Sequence, residues 1–419
     1  MSLVKFQKKC RNCQSKKIEK VINLKSVPIN ELYEKIKKKS LRHKKFSQTI
    51  LRCKECTHVQ LMENVDPGYM WQRYTYLTSQ NKEVVSHFKN LSLKLLRTYN
   101  LKNKLIIDIG SNDGTLLNNF KKISKTIGVE PSLNVSKIAK KNGISTYNEY
   151  FSKKTVKKII SKHGKAKIVF AFNVFAHTQN VSEFTKNVND LIDDDGLFIF
   201  EAQYLGSIYK KFILGTFFHE HMSHHSFFSL NHMFKKNGLE FVNVIKSTNQ
   251  LGSFIGFIKK IKKTNKISKN IKIFEKYEKL NQINTKKKLL AFGSKIKKHK
   301  QICKKIMYKY KDYLGYGAAR SGPIYCENFE IDFPKIVFDE NKKKIGKFFP
   351  NYGSKILSTN IIENYSNNLF IILAYIYSKK IIRKNLKNIK NKNFKFLIFH
   401  PIPRIISKEN VISYLNEKN

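Results

Sequence analysis

The chain has 419 residues, of which 41% are apolar, 12% aromatic and 26% charged. This composition excludes a wholly disordered chain, and at about 100–200 residues per domain the length predicts two or three domains. The longest apolar run, residues 369–377, is much shorter than the roughly 20 residues of a membrane-spanning helix, so no membrane span is predicted. The first residues lack the apolar segment of a secretory signal, and we expect a cytoplasmic protein.

Basic residues outnumber acidic residues by 81 to 30, which gives a formal net charge of +51. Such a charge is typical of proteins that bind nucleic acid or another anionic surface. The basic residues are almost all lysines spread along the chain, however, whereas arginine is the residue favoured for bidentate recognition of phosphate and guanine. We therefore interpret the charge as a general compositional bias and do not expect a nucleic-acid partner. The positive field should still attract anionic ligands such as nucleotide phosphates.

Four of the six cysteines form two Cys-x-x-Cys pairs near the N-terminus, Cys10 with Cys13 and Cys53 with Cys56. Two such pairs can place four thiolates around one tetrahedral zinc ion, which leaves no open position and indicates a role in folding. A redox motif would need only one pair, so structural Zn2+ is the favoured interpretation. We predict a zinc-binding module over residues 1–65.

Residues 66–258 are predicted to form the second domain. Its first part, residues 66–100, has a helical pattern and includes Tyr74 and Tyr76. Four apolar strands follow and alternate with polar segments of helical length, which is typical of a parallel sheet covered on both faces. These strands are predicted over residues 105–109, 126–131, 168–173 and 196–201.

A glycine turn follows the first of these strands and predicts a cofactor site. Glycines let the backbone approach a ligand closely, and an acidic residue at the end of the next strand can accept both ribose hydroxyls. The turn is acidic and lacks the G-x-G-x-x-G spacing, which favours S-adenosylmethionine (SAM) over NAD or FAD, because acidic side chains repel a pyrophosphate and tolerate a sulfonium. The candidate cofactor-binding residues are Asp108, Gly110, Asn112, Asp113, Gly114, Glu130 and, after the third strand, Asn173.

A dense polar segment, residues 217–226, follows the fourth strand on the edge where parallel α/β sheets bind ligands. Acid–base chemistry is the favoured interpretation, because histidine suits the removal of a proton next to a carbonyl. In an extended segment His219 and His221 would share one face and Glu220 would take the other. His177 follows the third strand and is expected to face the same cleft. A metal site and a structural histidine cluster stay open as alternatives, although the H-E-x-x-H pattern of zincins is absent.

Residues 259–419 are predicted to form bridging helices and a second, smaller α/β domain. The lysine-rich stretch 259–300 has helical spacing and few turn residues. A strand and glycine turn follow at residues 313–322, and further strands are predicted at 335–339, 369–374 and 394–399.

Taken in order, these motifs resemble a known family. They are the two cysteine pairs, the Asp-Ile-Gly-Ser-Asn-Asp-Gly turn, the Asn-Val-Phe-Ala-His run, the His-Glu-His segment and a C-terminal Gly-Ala-Ala-Arg-Ser-Gly turn. The combination resembles the three-domain, zinc-containing, SAM-dependent sugar C-methyltransferases, which methylate C-3 of dTDP-4-keto-deoxysugars. The resemblance implies an α/β protein with an N-terminal four-cysteine zinc module, a central class I SAM methyltransferase domain with a Rossmann-like sheet, and a smaller C-terminal Rossmann-like domain. It implies SAM and structural Zn2+ as cofactors and a nucleotide-linked ketosugar as the substrate.

The resemblance also implies residue roles. His221 resembles the family's general base, Glu220 its neighbouring substrate-binding carboxylate, and His177 a second active-site histidine. Tyr76 lies in the stretch that resembles the segment covering the cofactor and the substrate. Phe218 stands where the family usually has a tyrosine, so a hydroxyl that could contact the substrate is missing.

The implied reaction begins when the base takes the proton next to the keto group, and the resulting enolate attacks the SAM methyl. The nucleotide diphosphate is expected between the SAM domain and the C-terminal domain, where lysines and Arg320 can meet it. Three other functions fit parts of the chain. They are an RNA methyltransferase, an O-methyltransferase acting on a sugar or small molecule, and a non-catalytic binding protein. The sequence carries no signal for an oligomeric state.

Overall fold

The structure, a computed structural model, describes residues 3–29, 31–70, 76–365 and 369–417. Tyr74, predicted to be helical, lies outside these ranges. Over the described ranges, no helix is both long and apolar enough to cross a lipid bilayer. The chain is mixed α/β with two Rossmann-like sheets and a four-cysteine cluster near the N-terminus, which confirms the predicted fold class.

The N-terminal unit is built on antiparallel strands. They are β1 (Val4–Phe6), β2 (Ile18–Pro28), β3 (Lys45–Cys53), β4 (Val59–Leu61) and β5 (Glu63–Val65). Strand β1 pairs with β5, and β3 pairs with β2 on one side and with β4 on the other. Both cysteine pairs lie beside this sheet, because Cys53 ends β3 and the second pair forms the turn that leads into β4.

The central unit carries a seven-stranded sheet in the order β12-β13-β10-β9-β6-β7-β8. The strands of the central unit are β6 (Leu105–Ile109), β7 (Lys125–Val129), β8 (Ser145–Tyr147), β9 (Ala166–Phe172), β10 (Ile192–Gln203), β11 (Ser223–His224), β12 (Leu239–Ser247) and β13 (Ser253–Lys260). The short strand β11 is not part of the seven-stranded sheet. Strands β6 to β10 pair in parallel, whereas β13 runs antiparallel to β10. Strand β11 pairs with β4 and so completes the N-terminal sheet.

Helices cover both faces of the central sheet, because its inner strands are apolar on both sides. Leu105 and Ile107 point into one core and Ile106 into another, as the two-residue period of a strand requires. The helix that precedes the sheet, Lys82–Thr98, is capped by Asn81, whose side chain accepts hydrogen bonds from two backbone N–H groups of the first turn.

The C-terminal unit has a six-stranded sheet in the order β16-β15-β14-β17-β18-β19. Its strands are β14 (Leu314–Tyr316), β15 (Ile336–Asp339), β16 (Lys355–Ser358), β17 (Leu369–Ile372), β18 (Lys395–Ile398) and β19 (Arg404–Ile406). The first five pair in parallel, and β19 is antiparallel.

Fourteen α-helices lie in the described ranges, and the two longest after β13 bridge to the C-terminal sheet. The helices are α1 (Lys37–Ser40), α2 (Pro67–Met70), α3 (Lys82–Thr98), α4 (Leu133–Lys141), α5 (Lys153–His163), α6 (Val181–Leu191), α7 (Leu205–Lys211), α8 (Phe227–Lys236), α9 (Lys269–Leu280), α10 (Lys286–Tyr308), α11 (Ser321–Phe329), α12 (Ser378–Lys384), α13 (Leu386–Asn391) and α14 (Val411–Asn416).

One apolar core joins all three units. It contains Val27 from the N-terminal unit, Phe217 from the central unit and Tyr325 from the C-terminal unit, all of them buried. The polar segment that begins at Phe217 is therefore anchored where the three units meet. The domain boundaries after residues 65 and 258 stay predictions.

Candidate active site

The four cysteines of the two pairs form one buried cluster. Their ligand atoms all lie within 4.8 Å of one another, with Sγ of Cys10 3.4 Å from Sγ of Cys56 and Sγ of Cys13 3.6 Å from Sγ of Cys53. Within the described ranges the cluster holds four buried cysteine sulfurs and no other ligand group, which matches a closed tetrahedral zinc site. The donor set therefore fits a structural Zn2+.

The glycine turn between β6 and the following helical turn is tightly packed against the segment that leads to His177. Gly110 has a φ of +70°, and a Cβ there would lie 2.7 Å from Val174 Cγ2. Gly114, with a φ of +79°, is similarly enclosed by Ile144. Only glycine combines this backbone conformation with so close an approach. Because His177 N donates to Val174 O at 2.9 Å, the glycine turn and His177 lie on the same edge of the sheet.

The acidic residues beside this turn are buried. Glu130 accepts hydrogen bonds from the backbone N–H groups of Asn112 and Ser132, at 3.0 and 2.8 Å. Burial raises the pKa of Glu130, although these hydrogen bonds oppose the shift. Burial, together with the nearby Glu130, raises the pKa of Asp108 well above its usual range. The narrow glycine turn and these carboxyl acceptors fit SAM, which offers ribose hydroxyls, an amino group and a positive sulfur.

A short strap, residues 76–79, is fastened across the glycine turn. Asn112 Oδ1 accepts from Thr78 N at 2.9 Å, and Asn112 Nδ2 donates to Tyr76 O at 3.2 Å. Asp113 Oδ2 accepts from Ser79 N at 2.9 Å. The structure thus brings Tyr76, Asn112 and Asp113 together. Asn173 lies at the end of β9 on the same edge, and its N–H donates to Glu201 O at 2.9 Å.

His177 and His221 form a pair of imidazoles. Their ring centroids are 5.0 Å apart. His177 Nδ1 lies 2.6 Å from Glu220 O, and His221 Nδ1 lies 3.0 Å from Thr216 O. A carbonyl oxygen can only accept, so in each neutral ring Nδ1 carries the proton and Nε2 is the unprotonated nitrogen.

Both rings are held in the neutral form. Burial lowers the pKa of His177 to about 4; the hydrogen bond to Glu220 O opposes this shift, and Arg320 adds to it. Burial, together with His177, His224 and Arg320, lowers the pKa of His221 well below its usual range. At neutral pH each ring can therefore accept a proton at Nε2.

Arg320 brings a positive charge from the C-terminal unit to this pair. The guanidinium lies 5.8 Å from the centroid of the Phe218 ring, and the Phe218 ring lies 3.9 Å from that of His221. Burial raises the pKa of Glu220, and Arg320 opposes that shift. Glu220 Oε2 is buried and, among the described residues, has no hydrogen-bond partner. A substrate hydroxyl could supply one.

The extended conformation predicted for residues 219–221 is wrong. The chain turns here, because His221 N donates to Phe218 O at 2.8 Å while Phe217 is packed in the core shared by the three units. His219 consequently points away from His221 and into the N-terminal unit, where its Nε2 donates to Ser47 O at 3.0 Å. Of the predicted catalytic residues, the structure brings together His177, Glu220 and His221 but not His219.

Three family models match the chain in consecutive segments. They are "Putative zinc binding domain" over residues 10–71, "Methyltransferase domain" over residues 80–244 and "C-methyltransferase C-terminal domain" over residues 249–403. These matches identify a SAM-dependent C-methyltransferase. This C-methyltransferase is therefore a SAM-dependent enzyme with a zinc-binding domain, as the motifs predict.

Individual relatives were also found. The C-methyltransferase NovU of Streptomyces niveus is 25% identical over 375 residues, which cover 88% of this chain and 89% of NovU. Among solved structures, the magnesium protoporphyrin IX methyltransferase ChlM of Synechocystis PCC 6803 with bound SAH has a TM-score of 0.35 and 15% identity, covering 46% of this chain and 91% of ChlM. A SAM-dependent methyltransferase from Clostridium acetobutylicum ATCC 824 has a TM-score of 0.35 and 12% identity, covering 42% of this chain and 91% of that one.

Sequence reasoning missed several residues around the histidine pair of this C-methyltransferase. Glu31 Oε1 lies 3.3 Å from Lys344 Nζ and 3.6 Å from Arg320 Nε. Burial would raise the pKa of Glu31, but these two cations outweigh it and lower the pKa. Thr216 holds His221, and its hydroxyl donates to Gln203 Oε1. No sequence motif surrounds these residues, so no local signal in the sequence identifies them.

Proposed function

We propose that this C-methyltransferase methylates the carbon next to the keto group of a nucleotide-linked 4-keto-deoxysugar, at C-3 as the resemblance implies, and that it does so in the cytoplasm. The observation that carries the proposal is the pair of neutral imidazoles, His177 and His221, 5.0 Å apart with both Nε2 atoms unprotonated. A carbon next to a ketone has no lone pair until a base removes its proton, so C-methylation needs such a base. An amine or a hydroxyl already carries a lone pair that can attack the methyl group, so N- and O-methylation depend less on one.

In the proposed reaction, His221 takes a proton from the carbon that the keto group activates. A neutral ring with a fixed tautomer suits this step, because its Nε2 lone pair is ready to accept. When bound, SAM supplies an electrophilic methyl group on a positively charged sulfur. The ring of His177 lies 5.0 Å from that of His221, so its unprotonated Nε2 can receive the proton from His221 in a second step.

The other side chains would orient the substrate. Glu220 carries a raised pKa and an unpartnered buried oxygen, so it can meet a sugar hydroxyl. Arg320 would bind the diphosphate, because its guanidinium lies 5.8 Å from the ring of Phe218, which packs against His221, and so brings a positive charge to the site. Holding the reacting carbon and the methyl group about 3–3.5 Å apart is the main task of these contacts.

The experiment is incubation of the purified protein with methyl-labelled SAM and a panel of nucleotide-linked 4-ketosugars. We expect label in one sugar and a new carbon–carbon bond in the NMR spectrum of the product. Label on oxygen would instead establish an O-methyltransferase. Labelling of added RNA that survives about 0.2 M salt would establish an RNA methyltransferase, because nonspecific lysine contacts weaken steeply with salt.

A further inference from the structure

We propose that the two cysteine pairs fix the distance between the two active-site histidines, His177 and His221. Arg11 is the positioning residue for His177. The inference rests on the proposed function for the roles of His177 and His221. It gives the zinc-binding module a task in catalysis although the module supplies no group to the reaction itself.

The first pair, Cys10 and Cys13, is fastened to the segment that follows His177. Arg11 lies between these cysteines and is fully buried. Its Nη1 donates to Gln179 O at 3.0 Å. Its backbone carbonyl accepts from Val181 N and Ser182 N, at 3.1 and 3.2 Å, and so satisfies two N–H groups at the start of helix α6. The chain two to five residues beyond His177 is thus bound to the first cysteine pair.

The second pair, Cys53 and Cys56, is fastened to the segment that follows His221. This pair leads directly into β4, and β4 pairs with β11, which begins two residues after His221. Leu61 N donates to Met222 O at 3.0 Å. His58 Nε2 also lies 3.1 Å from Ser223 Oγ.

Gln60 connects the contacts of the first cysteine pair with those of the second. It is fully buried, its backbone pairs with Ser223, and its Oε1 accepts from Arg11 N at 2.8 Å. One zinc ion shared by both cysteine pairs would complete the link. The spacing of the two histidine rings therefore follows from the geometry of the cysteine cluster and from the Arg11 contacts.

The Arg11 side chain is the part of this linkage that a substitution can remove. Arg11 Nη2 also donates to Leu61 O at 3.3 Å and to Asn64 Oδ1, so the guanidinium joins both attachments. Arg11→Met keeps an unbranched apolar stem but removes every side-chain donor, while the backbone contacts of residue 11 remain. Arg11→Lys keeps the charge and one donor nitrogen, and we expect its exchange rate at His177 and its kcat to lie between those of Arg11→Met and the wild type.

The first test needs no substrate. In the zinc-loaded protein, we measure deuterium exchange at the Cε1 position of each histidine by mass spectrometry. Arg11→Met should speed exchange at His177, because its ring is freed, and should leave the exposed His232 unchanged. The matched control is Arg52→Met, since Arg52 is a partly buried arginine of the same N-terminal unit but donates to Asn284 O. Unchanged exchange at His177 in Arg11→Met would overturn the proposal.

The second test is a double-mutant cycle on methyl transfer, with zinc content and SAM affinity measured in parallel. A displacement of about 1 Å costs about 10²-fold, so we expect Arg11→Met to lower kcat by that order and to leave the Kd for SAM within twofold. In a His177→Ala background Arg11→Met should have little further effect. Additive losses would overturn the positioning role.

The two proposals can fail separately. If Arg11→Met does not fold, Arg11→Lys carries the same comparisons. If His177→Ala and His221→Ala both retain the wild-type rate, the proposed function fails, while the exchange result still decides whether Arg11 positions His177.

Discussion

The imidazole rings of His177 and His221 lie 5.0 Å apart, and each presents its Nδ1 to a backbone carbonyl rather than to a carboxylate. Glu220 contributes its carbonyl oxygen to His177, which leaves its carboxyl group available for the substrate. The rings are therefore oriented by the main chain, and a change in the path of the backbone would alter both at once.

Replacing His221 with alanine should remove most of the methyl transfer. A general base typically contributes about 10²–10⁴ in rate, so kcat should fall by that factor. SAM binding, measured by calorimetry, should be retained because the glycine turn is untouched. His232→Ala is the control, since His232 is exposed on helix α8. An unchanged rate in His221→Ala would remove this residue from the mechanism.

Activity should persist at an acidity where ordinary histidines are already charged. The neutral form of His221 is the active base, and burial keeps its pKa well below the usual range, as it lowers the pKa of His177 to about 4. The acid limb of kcat/KM should therefore lie well below the usual histidine pKa of about 6.5. The measurement is kcat/KM from pH 4.5 to 8 at constant ionic strength, with circular dichroism to verify folding. Half-maximal activity near pH 6.5 would contradict the assignment.

Removing the side chain of Asn112 should loosen the strap over the glycine turn. Asn112→Gly is the suitable change, because Asn112 has a φ of +50° that glycine adopts without strain. Two hydrogen bonds to the strap are lost, each worth roughly 1 kcal/mol, so the Kd for SAM should rise about tenfold or more. Asn103→Gly is the matched control, with a φ of +59° on an exposed turn. Equal SAM affinity in the two variants would argue against a role for the strap.

Removing the charge of Arg320 should weaken binding of the anionic substrate. A hydrogen bond to a charged group is worth roughly 1.5–3 kcal/mol, so Arg320→Met should raise KM for the nucleotide-linked sugar by about 10- to 100-fold. The Kd for SAM should change little. Arg383→Met, on an exposed position of helix α12, is the control. A fall in kcat with unchanged KM would assign Arg320 to the reacting atoms instead of the diphosphate.

Short motifs made much of this molecule predictable. A Cys-x-x-Cys pair and a glycine turn carry their chemistry within a few residues, so Cys10 and Gly110 could be assigned a function before their distant partners were known. Four of the seven strands of the central sheet were equally clear, because a strand buried on both faces, such as β6, is a continuous apolar run, whereas β8, β12 and β13 were not predicted.

Contacts that depend on tertiary packing could not be predicted in this way. The turn at His219 arises because Phe217 is anchored in a core shared by three units, and neither glycine nor proline marks it in the sequence. Glu31 reaches Arg320 across nearly 290 positions of the chain. Nothing local distinguishes it from any other glutamate in a lysine-rich protein.

Strand β11 has a consequence for how the chain is made. The fourth strand of the N-terminal sheet is formed by Ser223 and His224. During synthesis, the backbone hydrogen-bonding groups on the outer edge of β4 therefore stay unpaired until more than half of the polypeptide has left the ribosome. A truncated product that stops before this point would expose that edge to neighbouring molecules. Expression of the first 70 residues alone should therefore give aggregates.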